Sequence, residues 1–187
     1  MKDIKLLCFV FLVFATASVT YAQSFQIGHT TLNFTDVSRG NRVIATEIYY
    51  PADVAGDDVA LTATSGSFPV LSFGHGFVMT WDAYQNFWSA LVPNGYIMAF
   101  PKTEGSFSPS HLDFGKDLAF VIAQMNLLNG DNTSIFFNRI SDMNSVMGHS
   151  MGGGASFLAA QLNSNIKTIV NFAPAETNPS AISAAAS

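Results

Sequence analysis

Two periods of apolar positions organise this chain. Residues 25–34 and 42–50 read as strands, and the polar turn 36–41 between them suits a hairpin. Residues 55–66 form a polar, small-residue loop, and Phe68 to Phe73 is a short, largely apolar strand. After Gly74-His75-Gly76-Phe77, Thr80 is placed to N-cap a helix from Trp81 to about Val92, which Pro93-Asn94-Gly95 ends. Tyr96 to Phe100 is another strand of the buried type. Ser108-Pro109 then offers a capping serine and an N1 proline to a second helix. In that helix Phe114, Leu118, Val121, Ile122, Met125 and Leu128 recur at spacings of three and four, and Gly130 closes it. Residues 145–147 form a strand, 152–162 a helix and 166–172 a further strand; the tail 178–187 reads as a helix or linker. A hairpin followed by strand–helix repeats specifies an α/β fold, a mainly parallel sheet with helices on both faces. Such sheets carry their sites at the carboxyl ends of the strands.

The N-terminus changes the picture of where the chain works. Lys2 and Lys5 precede an apolar run from Leu6 to Ala17, and Thr20-Tyr21-Ala22 supplies small residues before Gln23. This is the pattern of a signal peptide over residues 1–22, leaving one domain over 23–187 in a secreted or periplasmic protein. The alternative is a membrane anchor, but the run is shorter than the roughly 20 residues a spanning helix needs. The one cysteine, Cys8, lies in this leader, so the exported domain holds together by its core rather than by disulfides. With 8 Lys and Arg against 13 Asp and Glu, the chain is mildly acidic, which argues against nucleic acid as a partner.

The chemistry centres on Gly148-His149-Ser150-Met151-Gly152-Gly153-Gly154. A serine hydroxyl is a poor nucleophile unless presented beside a base. In a Gly-x-Ser-x-Gly turn the serine sits at the tip of a strand-to-helix bend so sharp that side chains two residues either side would collide, hence Gly148 and Gly152. Ser150 is then the nucleophile, and the Met151 amide at the helix start faces the developing oxyanion. The other reading of the segment is a glycine-rich turn that packs tightly or holds a phosphate. Gly74-His75-Gly76-Phe77 also follows a strand; the backbone N–H of Phe77 is the second candidate oxyanion donor, and its ring a wall for an acyl group. The bland reading here is a strand-ending turn with a core phenylalanine. His149 is expected to point away from Ser150, His75 to be structural, and His29 and His111 to be surface or strand residues. Asp117 suits a salt bridge or cap. Tyr84, Phe87, Trp88 and Trp81 at helical spacing read as core. Asn33-Phe34-Thr35 and Asn132-Thr133-Ser134 are glycosylation sequons, meaningful only in a eukaryotic secretory pathway.

On these residues the chain resembles the secreted α/β-hydrolases of the polyester hydrolase and cutinase-like group, which is related to platelet-activating-factor acetylhydrolase-like and chlorophyllase-like esterases. The elbow carries the likeness, with His75-Gly76-Phe77, Glu47-Ile48-Tyr49-Tyr50-Pro51 and Asn171-Phe172-Ala173-Pro174 in support. The resemblance implies hydrolysis of a carboxylic ester through an acyl-serine, with a small-molecule or lipid-like ester as partner and no metal or cofactor. Two departures limit it. Bacterial polyester hydrolases have an aromatic-acidic pair after the strand-end proline, where this chain has Ala175-Glu176, so a small or medium ester is expected over a polymer. The fold also places an acid and then a histidine after the nucleophile, yet beyond Ser150 the ionisable side chains are Lys167 and Glu176. The expectation is that residues 23–187 are the first two-thirds of a longer α/β-hydrolase domain, lacking its last strands and helices, and inactive without them. The alternative is a non-catalytic binding module on a hydrolase scaffold.

Overall fold

The computed structural model describes residues 24–187, so the expected leader and its cleavage point before Gln23 lie outside the described residues. The hairpin forms as read: β1 (Gln26–Asp36) pairs antiparallel with β2 (Arg42–Ala52), His29 opposite Tyr49 and Thr31 opposite Glu47. Its turn is a 3-10 segment whose cap, Asp36, accepts from the Ser38 N–H. Gly40 and Asn41 complete the reversal with φ of 66° and 62°, a conformation that glycine and asparagine adopt most cheaply.

The expected loop over residues 55–66 contains a two-residue strand, β3 (Gly56–Asp57), parallel to β1. It is too short to leave a periodic trace in sequence. The remaining strands are β4 (Val70–Gly74), β5 (Ile97–Pro101), β6 (Asn144–His149) and β7 (Ile166–Phe172). The sheet order is β3-β1-β2-β5-β4-β6-β7. β5, β4, β6 and β7 are mutually parallel, while β2 joins β5 antiparallel. This is the α/β-hydrolase fold.

Side chains alternate across the sheet and build two cores. On one face Ile44, Ile48, Val70, Ile97 and Val146 pack with Phe114, Leu118, Ile122 and Met125 of α2 (His111–Gly130) and Ala155 and Ala159 of α3 (Met151–Leu162). On the other, Tyr49, Leu71, Phe73, Met98, Phe100 and Met147 pack with Trp88 of α1 (Gln85–Leu91) and with Tyr84. Tyr49 and Trp88 stack with centroids 4.4 Å apart at 5°. Tyr84 and Trp88 are therefore core, as their spacing indicated, while Trp81 and Phe87 are half-buried against the same cluster. Gly115 brings α2 close to α3: a Cβ there would lie 2.8 Å from the Leu158 Cβ.

Three boundaries depart from the sequence reading. The helix expected from Trp81 opens as a 3-10 turn over Trp81–Tyr84 and becomes α-helical only at Gln85; Thr80 bonds Asp82 and makes no side-chain cap. The second helix is capped by Ser110, which accepts from the Asp113 N–H at 3.2 Å, and Ser108-Pro109 remain in the preceding loop. The Glu104 carboxylate fixes this start by accepting from the Ser110 N–H at 2.5 Å. Gly130 is the last helical residue, and Asp131 takes the C-cap position. The tail resolves into a short helix, α4 (Ala181–Ala185), capped by Ser180 and packed on α3. No helix among the described residues is long and apolar enough to cross a membrane.

Ionic contacts tie the hairpin to α2. Asp117, fully buried, bonds Arg42 through both carboxylate oxygens and lies 2.6 Å from Arg39. Arg42 also reaches Glu104 at 2.7 Å. The bonds to Asp117 outweigh burial and raise the Arg42 pKa. Across the sheet, Glu47 is held by Lys102, by Thr31 at 2.6 Å and by His29 at 2.8 Å. Burial opposes the charge of Glu47, but these donors prevail and hold its pKa below the ordinary value.

Candidate active site

β6 ends and α3 begins at Ser150, which adopts φ 51° and ψ −115°, a conformation a non-glycine residue holds only under constraint. The surrounding contacts supply that constraint. A Cβ on Gly148 would lie 2.3 Å from the Gly152 carbonyl, and one on Gly152 would lie 2.1 Å from the Gly74 carbonyl oxygen. Both elbow glycines are thus required by close backbone approach, as the spacing indicated. Gly154 has the same role on the far side, where a Cβ would meet the Ala175 carbonyl oxygen at 2.2 Å.

Backbone bonds lock the bend to its neighbours. The Ser150 N–H donates to Phe172 O at the end of β7 (3.0 Å), and Ser150 O accepts from Ala175 N (2.8 Å) and Gly154 N (3.1 Å). The Gly152 N–H donates to His75 O at 3.0 Å, joining the elbow to the loop after β4. Asn171 of β7 donates from Nδ2 to Gly153 O at 2.8 Å. Ser150 itself is half-buried, so its side chain remains reachable.

The loop after β4 is a tight turn in which Met79 N donates to Gly76 O at 3.0 Å. Val78 occupies it at φ 57°, an outlying conformation for a β-branched residue. Phe77, at the corner, is 51% exposed, and its ring meets the exposed Phe107 edge-on at 6.4 Å. The exposure overturns the reading of Phe77 as a core phenylalanine. Among the described residues, neither the Phe77 nor the Met151 backbone N–H has a hydrogen-bond acceptor. The Met151 side chain is buried in the α2–α3 core.

The four histidines occupy other posts. His75 is buried against Phe114, with Nδ1 2.9 Å from Gly76 O and Nε2 2.8 Å from Thr103 O. His149 is engaged elsewhere, its Nδ1 3.0 Å from the Tyr84 hydroxyl. His29, a strand residue, lies between Glu47 and Asp57, and His111 opens α2 and accepts from Asn178 N at 3.0 Å. Glu176 accepts from Ile182 N and is likewise not bonded to Ser150. Among the described residues no group of three or more His, Cys, Asp or Glu side chains is arranged to hold a metal ion.

Sequence reasoning missed Tyr84, taken there only as a core aromatic. Its hydroxyl accepts from the Gly76 N–H at 2.7 Å, and burial outweighs this bond to raise its pKa. Nothing local in the sequence signals that contact, which depends on the 3-10 turn before α1.

The profile of the PET hydrolase-like family (PETase) matches residues 16–185, covering the whole sheet and the elbow. Among curated proteins, none matches the chain. With the α/β-hydrolase fold and the glycine-framed elbow in place, the match shows that this chain belongs to the PET hydrolase-like family, whose members are ester hydrolases.

Proposed function

We propose that the protein is an exported serine hydrolase of small or medium carboxylic esters, with Ser150 as nucleophile and the Phe77 and Met151 amides as oxyanion donors. The observation that carries this reading is the forced positive-φ conformation of Ser150 between two glycines that admit no side chain. In the first step Ser150 Oγ bonds to the ester carbonyl carbon while its proton passes to a base. The carbonyl oxygen gains negative charge opposite the two amides, the alcohol departs with the proton, and an acyl-serine remains. Water then adds to the acyl carbon, returns a proton to Ser150 and frees the acid.

The base is proposed to be a histidine, oriented by a carboxylate, that the fold's order Ser…Asp/Glu…His places after the nucleophile. Commitment of all four histidines to other partners supports that placement. On the same reading, residues 23–187 alone are inactive. Ala175-Glu176 beside Gly154 supports a small ester over a polymer, since no aromatic side chain stands there to grip a chain of aryl units.

The experiment is labelling of the full-length secreted protein with a serine-directed fluorophosphonate. Modification is expected at Ser150, and Ser150→Ala should abolish both labelling and turnover of nitrophenyl esters. Full activity in Ser150→Ala would remove the assignment. Absence of labelling in the full-length protein would favour the non-catalytic scaffold, the reading to which the diverted histidines lend support.

A further inference from the structure

Tyr84 sits where the 3-10 turn gives way to α1, at φ −110° and ψ 24°. This break in the helix turns its side chain beneath the loop after β4. The ring packs on Phe73 at 4.7 Å, a contact a phenylalanine would make as well. The hydroxyl is different: its neighbours all belong to the two segments that carry the proposed oxyanion donors. It accepts from Gly76 N at 2.7 Å, lies 3.1 Å from Met79 Sδ, and lies 3.0 Å from Nδ1 of His149, the residue before Ser150. A Cβ on Gly76 would strike the Tyr84 hydroxyl, Met79 Sδ and His149 Nδ1, at 3.3, 2.9 and 3.0 Å. The space below Gly76 is therefore filled by one hydrogen-bonded cluster.

We propose that the Tyr84 hydroxyl is a positioning group that pins the Gly76–Met79 turn to the serine elbow and so fixes the Phe77 amide relative to Ser150. The inference rests on the assignment of Phe77 and Met151 as oxyanion donors. The physical need is specific. Gly76 is the most permissive residue type, and the direction of the Phe77 N–H depends on the backbone torsions of Gly76. Val78 at φ 57° strains the same turn, so the loop must be held from outside. Its other fixed points, the His75 imidazole and the Met79 N–H, both act on the Gly76 carbonyl. Tyr84 holds the Gly76 N–H, and through His149 it alone among these contacts reaches the residue adjoining the nucleophile.

A donor that acts on the oxyanion contributes in the transition state and little to substrate binding. Full loss of one such donor costs about 100- to 1,000-fold in kcat; misdirecting it should cost less. Tyr84→Phe in the full-length secreted protein should therefore lower kcat for nitrophenyl acetate and butyrate by roughly 10-fold or more, with KM within about two-fold. Amide exchange followed by NMR should quicken at Gly76 and Phe77 and stay unchanged at Leu158 in α3. An unaltered kcat together with unaltered exchange at Gly76 overturns the proposal, as does a loss expressed wholly in KM. Ser150→Ala separates the two layers. If it retains turnover, the nucleophile assignment fails; if it is inactive and Tyr84→Phe matches wild type, only the pin fails. Should the wild type turn over no ester, the exchange rates still decide whether the hydroxyl fixes the turn.

Discussion

Gly152→Ala is the sharpest test of the elbow geometry. The added Cβ would lie 2.1 Å from the Gly74 oxygen, 2.2 Å from its carbonyl carbon and 2.7 Å from its Cα. The two carbonyl contacts fall more than an ångström short of ordinary contact, and every opposing atom is backbone. No rotamer change relieves it, so the end of β4 and the start of α3 must separate. Separation stretches the Gly152 N–His75 O bond of 3.0 Å. Overpacking of this kind costs about 1–3 kcal/mol, and loss of the bond adds about 1 kcal/mol. In a domain of this size each kcal/mol moves Tm by about 2–4 °C, so thermal unfolding followed by circular dichroism should show a fall of roughly 5 to 15 °C. Gly130→Ala is the control: its Cβ would meet nothing within 4 Å, and reduced unfolded-state freedom should raise stability by about 0.4–1 kcal/mol. A Gly152→Ala protein melting within about 1 °C of wild type would refute the close approach of β4 and α3.

Asp117→Ala should lower the urea midpoint at unchanged m-value. It leaves Arg39 and Arg42 facing a vacated buried site, and removing one partner of a buried ion pair costs about 3–5 kcal/mol, the lower end applying because both arginines are partly exposed. A loss below about 1 kcal/mol would place the network among ordinary surface pairs. Asp36 gives a pH signature. Bonds from Ser38, then from Arg39, overcome burial and hold its pKa below the ordinary 3.8. Because the folded value is the depressed one, the stabilisation is complete above 3.8 and is lost as pH falls through the folded value. The stability gap between wild type and Asp36→Asn should stay level near neutrality and shrink only in that acid range; a gap that persists unchanged to pH 2 contradicts the assignment.

What sequence made legible was whatever local pattern determines. The buried runs at β4, β5 and β6 and the three-four spacing from Phe114 to Leu128 follow from burial against a sheet, and each appears where the period put it. The glycines of the elbow were legible because steric exclusion admits one residue type. Helix starts were not. Ser108 and Ser110 are equally good caps in sequence, and the choice is made by Glu104, held in turn by Arg42 from the distant hairpin. Tyr84 illustrates the same limit: its ring position was readable, but its hydroxyl acquires a role only when β4 and β6 lie side by side.

Backbone strain is distributed in a way that bears on how the site keeps its shape. Val78, Glu104, Ser150 and Ala173 follow β4, β5, β6 and β7 in turn, and each is a non-glycine residue at positive φ, from 44° to 62°. Each costs about 1–3 kcal/mol relative to relaxed backbone, and each stands at the carboxyl end of one of the four parallel strands. The supports differ in kind. Ser150 is held by backbone bonds to Phe172 and Ala175, Glu104 by Arg42 and the Ser110 amide, and the Val78 turn by Tyr84 and His75 acting on Gly76. Three bonds cross between neighbouring loops: Gly152 N to His75 O, Ser150 N to Phe172 O, and His75 Nε2 to Thr103 O. Strain in one loop is therefore balanced in part by its neighbour. A substitution that removes a support, such as Tyr84→Phe, should disturb two strand ends together, whereas one that only shortens an exposed side chain, such as Phe107→Ala, should leave all four in place.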